Sequence, residues 1–113
     1  MRLLIIRHGD PDYEKDSLTE KGWREAALLA DRIARLDVAA FYVSPLGRAK
    51  DTASLTLKKM NREAVICDWL KEFPTRINRP DMAGARKTLA WDWLPQDWTG
   101  EEAYFCREEW ADT

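Results

Sequence analysis

The residues best suited to chemistry lie in one tripeptide and at the start of one predicted helix. His8 is the only histidine in the chain, and it stands between Arg7 and Gly9. Arg7 carries a planar, permanently charged fork of donors that fits phosphate oxygens, and Gly9 lets the backbone approach a ligand closely. Arg48 adds a second guanidinium at a helix N-terminus, where anions are favoured. This combination indicates a phosphate pocket.

Residues 1–72 read as strands that alternate with helices. The predicted elements, in chain order, are a strand over 3–6, a loop over 10–16, a helix from about 17 to 36, a strand over 39–43, a helix over 47–59 and a strand over 63–67. The first strand is a continuous apolar run, which is typical of a strand buried on both faces. Strands alternating with helices imply right-handed crossovers, so this half predicts a β-α-β-α-β arrangement with a parallel sheet.

The candidate residues follow the predicted strands directly. His8 comes after the first strand, Ser44 and Arg48 come after the second, and Glu72 comes after the third. Ligands of parallel sheets bind beyond the carboxyl ends of the strands. The topology therefore predicts that groups distant in sequence meet at one edge of the sheet.

Composition narrows the class of protein. The 113 residues are 45% apolar and 34% charged with a net charge of -2, which fits one globular domain and argues against a surface for nucleic acid. Two widely separated cysteines predict neither a zinc site nor a disulfide framework, so a reducing cytoplasm is expected. The longest apolar runs are too short to span a bilayer, and no membrane association is expected.

Three segments carry a resemblance to a known family. They are Leu4–Gly9 (LIIRHG), Leu18–Gly22 (LTEKG) and Ser44–Ala53 (SPLGRAKDTA). In this order and spacing they resemble the histidine phosphatase superfamily, also called phosphoglycerate-mutase-like. The resemblance covers roughly residues 2–72.

The resemblance implies a phosphohistidine mechanism. His8 would be the nucleophile, with a backbone carbonyl fixing its neutral tautomer through the other ring nitrogen. Arg7, Gly9 and Arg48 would bind the phosphate. Glu72 would be the general acid that protonates the leaving oxygen, with Asp10 and Asp68 as alternative acids. No metal or other cofactor is needed.

The loop after Gly9 departs from the family pattern. It carries acidic residues where the family often has Glu-Thr or Gln-Ser followed by a phosphate-binding Asn. These acids either face away from the phosphate, bind a cationic part of the substrate, or include the catalytic acid. Asp10 and Tyr13 are the candidate substrate-binding residues, although Tyr13 is equally well explained as an aromatic packed over the rim.

The resemblance also implies a larger fold than these residues supply. The expected fold is α/β, a three-layer α/β/α sandwich with a mostly parallel sheet. We predict one partial domain over 1–113, with a core over 1–72 and a tryptophan-rich cap over 73–113. The family's second histidine and its fourth strand, which lies between strands one and two, have no counterpart here. Such a chain is expected to be unstable, to re-pair its strands, or to self-associate.

Two functions fit this pattern. The leading one is a phosphoric monoester hydrolase or phosphomutase that acts on a small phosphorylated metabolite, with the phosphatase favoured by the acidic loop. The alternative is a non-catalytic phosphate-binding or interaction module.

Overall fold

The computed structural model describes residues 1–72, 76–77, 88–89 and 94–100, and the chain divides into two units, 1–71 and 72–113. The elements of the first unit are β1 (Pro11–Asp12), β2 (Ser17–Leu18), α1 (Glu20–Ile33), β3 (Tyr42–Val43), α2 (Gly47–Met60), β4 (Val65–Ile66) and a 3-10 turn (Asp68–Leu70). Helices alternating with short strands confirm the α/β class expected from the sequence.

Helix α1 confirms the first predicted helix, although it spans Glu20–Ile33 rather than about 17–36 and Ser17–Leu18 form β2. The Thr19 side chain caps it by accepting a hydrogen bond from the Gly22 backbone N–H at 3.1 Å. Ala26, Ala30 and Ile33 then recur at helical spacing and are buried. This stripe belongs to the small apolar core of the first unit, and α1 packs against α2.

Helix α2 connects two parallel strands. Strands β3 and β4 pair in parallel, with Tyr42 opposite Val65 and Val43 opposite Ile66. The helix ends at Asn61, which adopts a left-handed conformation (φ 52°) that asparagine tolerates well. The second predicted strand, the second helix and the third strand are therefore confirmed, although both strands are shorter than expected.

The first predicted strand is wrong in this structure. Residues 3–6 form no strand, and their side chains are exposed, from 48% at Ile6 to 89% at Ile5. A strand exists only where a neighbouring strand accepts its backbone hydrogen bonds. Branched apolar residues indicate a preference for a sheet interior, but they cannot reveal whether the neighbouring strand is present.

The acidic loop also carries regular structure that the sequence did not predict. Strands β1 and β2 pair antiparallel, with Pro11 opposite Leu18 and Asp12 opposite Ser17. Asp16 closes the connection with a left-handed backbone (φ 47°), which short polar residues adopt more readily than most others. The loop is therefore a short hairpin.

The described parts of the second unit are small. Strands β5 (Arg76–Ile77) and β6 (Thr88–Leu89) pair antiparallel, and α3 spans Pro95–Thr99. The Asp97 carboxylate accepts a hydrogen bond from the Leu94 N–H at 3.2 Å at the start of α3. Most of the predicted cap over 73–113 lies outside the described residues. None of the described helices combines the length and apolar character needed to cross a bilayer.

Candidate functional site

His8 is half-buried, and its ring orientation is set by a neighbouring backbone carbonyl. Nδ1 lies 2.8 Å from the carbonyl oxygen of Gly9. A carbonyl oxygen only accepts hydrogen bonds, so this contact requires the proton on Nδ1. The lone pair of the neutral ring is then on Nε2, the atom that the resemblance assigns to nucleophilic attack.

The backbone beside His8 is bonded to α2. The N–H of Gly9 donates to the hydroxyl of Thr52 at 3.0 Å, and that hydroxyl donates to the carbonyl oxygen of Arg48 at 2.8 Å. Thr52 is only 5% exposed. One buried hydroxyl therefore links the histidine loop to the helical turn that carries Arg48, across 43 positions of sequence.

Arg48 is held at the start of α2 by a carboxylate from the hairpin. Its Nη1 donates to Asp16 Oδ1 at 3.0 Å, and its side chain is 12% exposed. Asp16 Oδ2 accepts from the Gly47 N–H at 2.6 Å, and Oδ1 also lies 3.4 Å from the Arg48 backbone nitrogen. The anion that the helix N-terminus was expected to attract is thus supplied by Asp16 itself.

Tyr13 covers the same guanidinium from another direction. Its ring centroid lies 5.3 Å from Arg48 Cζ, within the range of a cation–π interaction. The tyrosine is exposed. This contact fits the interpretation of Tyr13 as an aromatic side chain that packs over the edge of the site. The role of Tyr13 in substrate binding stays a prediction.

Asp10 is bonded within the first unit. Its carboxylate accepts a hydrogen bond from the Thr19 hydroxyl at 2.6 Å, and its N–H donates to Glu25 Oε2 at 2.8 Å. Its carbonyl oxygen also accepts from the Thr19 N–H at 3.0 Å. These contacts turn Asp10 toward α1, and the Thr19 hydroxyl gives its carboxylate a hydrogen-bond partner within the chain. The assignment of Asp10 to substrate binding therefore also stays a prediction.

The two remaining candidates occupy different parts of the chain. Arg7 is exposed and precedes His8 directly. Glu72 is exposed and is the first residue of the second unit, so its role as the general acid stays a prediction. The structure therefore bonds the backbone of Gly9, next to His8, to the backbone of Arg48 through the Thr52 hydroxyl.

Sequence reasoning missed Asp16 and Thr52. Asp16 ends the predicted loop over 10–16 and has no role assigned from the sequence. In the structure, the Gly47 N–H, and then the N–H and guanidinium of Arg48, lower the pKa of this carboxyl by hydrogen bonding to its charged form. Nothing near Asp16 in sequence signals a partner 31 positions away. Thr52 belongs to the quoted SPLGRAKDTA segment, but its type alone does not distinguish a linking hydroxyl from a helix-surface residue.

The described residues contain no cluster of three or more histidine, cysteine, aspartate or glutamate side chains suited to a metal ion. The site is instead built from one imidazole, one guanidinium and the carboxylate and hydroxyl that bond around them. Together with the parallel pair β3–β4, it defines an α/β protein whose histidine loop is bonded to the crossover helix.

Comparison with known proteins identifies the family. The model of the histidine phosphatase superfamily (branch 1) matches residues 3–107, so the chain belongs to this superfamily. No solved structure matches the chain significantly.

Three curated relatives are similar to part of the chain. A 2,3-bisphosphoglycerate-dependent phosphoglycerate mutase of Thermoplasma acidophilum is 35% identical over 72 residues, which cover 55% of this chain and 36% of that protein. A bifunctional protein of Mycobacterium tuberculosis is 35% identical over 81 residues, covering 63% and 22%. A probable phosphatase of Schizosaccharomyces pombe is 33% identical over 79 residues, covering 61% and 28%. The chain thus spans about a third or less of each relative's length.

Proposed function

We propose that this chain carries the nucleophile and part of the phosphate site of a phosphoric monoester hydrolase or phosphomutase. The observation that carries the proposal is the 2.8 Å contact between His8 Nδ1 and the Gly9 carbonyl, because it places the lone pair of the neutral ring on Nε2. Membership of a superfamily whose matched relatives include a mutase and a probable phosphatase supports it. The substrate is a small phosphorylated metabolite, and we place the protein in the cytoplasm.

The first half-reaction transfers the phosphoryl group to the ring. Nε2 of His8 attacks phosphorus, the bond from phosphorus to the ester oxygen breaks, and the leaving oxygen takes a proton from Glu72. Arg48 and Arg7 stabilise the charge on the equatorial oxygens, which is most of what phosphoryl transfer asks of a protein. The product is a phosphohistidine and a free alcohol.

The second half-reaction releases the group. In a phosphatase, Glu72 takes a proton from water, the water oxygen attacks phosphorus and the nitrogen–phosphorus bond breaks, giving inorganic phosphate and the starting imidazole. In a mutase, a substrate hydroxyl replaces the water. The two reactions differ only in the acceptor.

The test uses the fact that the chain has a single histidine. Protein without a histidine tag is incubated with p-nitrophenyl phosphate, and intact mass is measured at neutral pH to preserve an acid-labile phosphoramidate. We expect one added phosphoryl group, absent from His8→Ala. Arg48→Ala should slow its formation by about 100-fold, the scale of removing one donor to a developing anion.

Arg24→Ala is the matched control, because Arg24 is 70% exposed and pairs with Glu20 on the outer face of α1. This variant should react like the wild type. A chain that binds inorganic phosphate but never acquires the added mass would instead be a non-catalytic phosphate-binding module.

A further inference from the structure

We propose that Asp16 is a positioning residue that holds the Arg48 guanidinium in its working orientation. The inference deepens the proposed function and rests on the role given there to Arg48. Asp16 reaches Arg48 from the β1–β2 hairpin, 32 positions away in sequence, and bonds its side chain at 3.0 Å. Asp16 itself need not contact the substrate.

Three contacts hold the Asp16 carboxylate, so it is a fixed partner for the guanidinium. Oδ2 is bonded to the Gly47 N–H at 2.6 Å, and Oδ1 is shared by the side chain and the backbone N–H of Arg48. The charge of the carboxylate also complements the positive end of the α2 dipole. A guanidinium bonded to such a group has few orientations left.

The surrounding chain fits closely around this carboxylate. A side-chain carbon at position 47 would collide with the backbone carbonyl oxygen of Asp16, so only glycine allows the hairpin to approach the helix start. The next hairpin residue, Ser17, donates to Asp51 Oδ2 at 2.6 Å. Two consecutive hairpin residues are therefore bonded to the first turns of α2.

The guanidinium is constrained on its face as well as on its edge. The Tyr13 ring lies over it at 5.3 Å from Cζ, and Tyr13 belongs to the same hairpin. One hairpin thus supplies an ionic contact to Nη1 and an aromatic contact to the plane of the group. Arg48 is delivered as a pre-oriented donor, which lowers the cost of ordering it around a phosphoryl group.

Asp16→Asn is the informative substitution. Asparagine accepts a left-handed backbone, and its carbonyl oxygen still accepts from the Gly47 N–H, so the fold is retained. Its amide is uncharged and has one acceptor oxygen, so it cannot accept from the Gly47 N–H and from the Arg48 guanidinium as the two carboxylate oxygens do. We expect kcat for p-nitrophenyl phosphate to fall by about tenfold, because small misplacements of a reacting group have effects of this size or larger.

A double-mutant cycle separates positioning from a general structural effect. In an Arg48→Ala background, Asp16→Asn should cause no further loss of kcat. An equal loss in both backgrounds, or no loss in either, would overturn the inference. Asp31→Asn is the matched control. Asp31 pairs with Lys59, which lies 11 residues and roughly 16 Å along α2 from Arg48, so turnover should be unchanged.

A spectroscopic readout keeps the inference testable without turnover. In protein with ¹⁵N-labelled arginine, the side-chain N–H signal of Arg48 should exchange slowly with water in the wild type and rapidly in Asp16→Asn. Failure of the wild type to form phosphohistidine, with this difference intact, would reject the proposed function and leave the positioning of Arg48 standing. Equal exchange in both proteins would reject the positioning.

Discussion

Replacing Thr52 by valine should detach the histidine loop from α2. Valine keeps the shape of threonine and has a similar helix propensity, but it has no hydroxyl. The Gly9 N–H then loses the acceptor that it has at 3.0 Å. The carbonyl oxygen of Arg48 loses less, because within α2 it also accepts from the N–H four residues later.

The magnitude follows from the donor left without a partner. An unsatisfied, partly buried N–H costs about 1 to 3 kcal/mol, so Thr52→Val should lower the free energy of unfolding by that amount. For a chain of this size the melting temperature should fall by roughly 3 to 6 °C for each kcal/mol. Thr52→Ser keeps the hydroxyl and loses one methyl group, which should cost about 1 kcal/mol.

Amide hydrogen exchange distinguishes this mechanism from a loss of packing. The Gly9 amide should exchange faster in Thr52→Val and stay protected in Thr52→Ser, even where the melting temperatures of the two variants are similar. A Gly9 amide that is equally protected in both variants would refute the reasoning, because the hydroxyl would then not be its partner in solution.

Two further predictions test the contacts that residues of the loop over 10–16 make with the two helices. Gly22→Ala should lower the free energy of unfolding by about 1 to 3 kcal/mol, measured by thermal melts, because the added carbon would collide with the Asp10 carbonyl oxygen. Leu28→Ala, on the exposed face of α1, is the control and should change the free energy of unfolding by less than about 0.5 kcal/mol. Because folding lowers the pKa of Asp16 through its bonds to Gly47 and Arg48, its stabilising contribution is complete above the ordinary carboxyl pKa and is lost as the pH falls through the lowered value. Urea unfolding should therefore show Asp16→Asn less stable than the wild type at about pH 7, with the gap closing towards about pH 2; a constant gap would contradict this.

The helices could be predicted from sequence because their signals are local. Thr19 caps α1 within three residues of its partner Gly22, and the buried stripe of α1 repeats at helical spacing. The parallel pairing of β3 with β4 also followed, because a strand–helix–strand order leaves few alternatives. The strand predicted over residues 3–6 was wrong, because a strand needs a neighbouring strand to pair with, and the apolar residues do not reveal whether that neighbour is present.

The candidate site was predictable in part for the same reason. His8, Gly9 and Arg48 stand in recognisable motifs, and the structure bonds their segments together. Asp16 could not be found this way, since an acid in a loop has no local mark that distinguishes repulsion of phosphate from capping of a distant helix. The role of Thr52 likewise could not be predicted, because only the structure shows that the Gly9 N–H donates to its hydroxyl.

The first two turns of α2 bring together segments that are distant along the chain. Gly9 bonds to Thr52 across 43 positions, Ser17 to Asp51 across 34, and Asp16 to Gly47 across 31. Closing these loops costs conformational entropy, and the three bonds share that cost because they meet on the same turns of α2. Fraying this end of the helix would release the histidine loop and the hairpin in a single step, while most of the helical content of the chain remained.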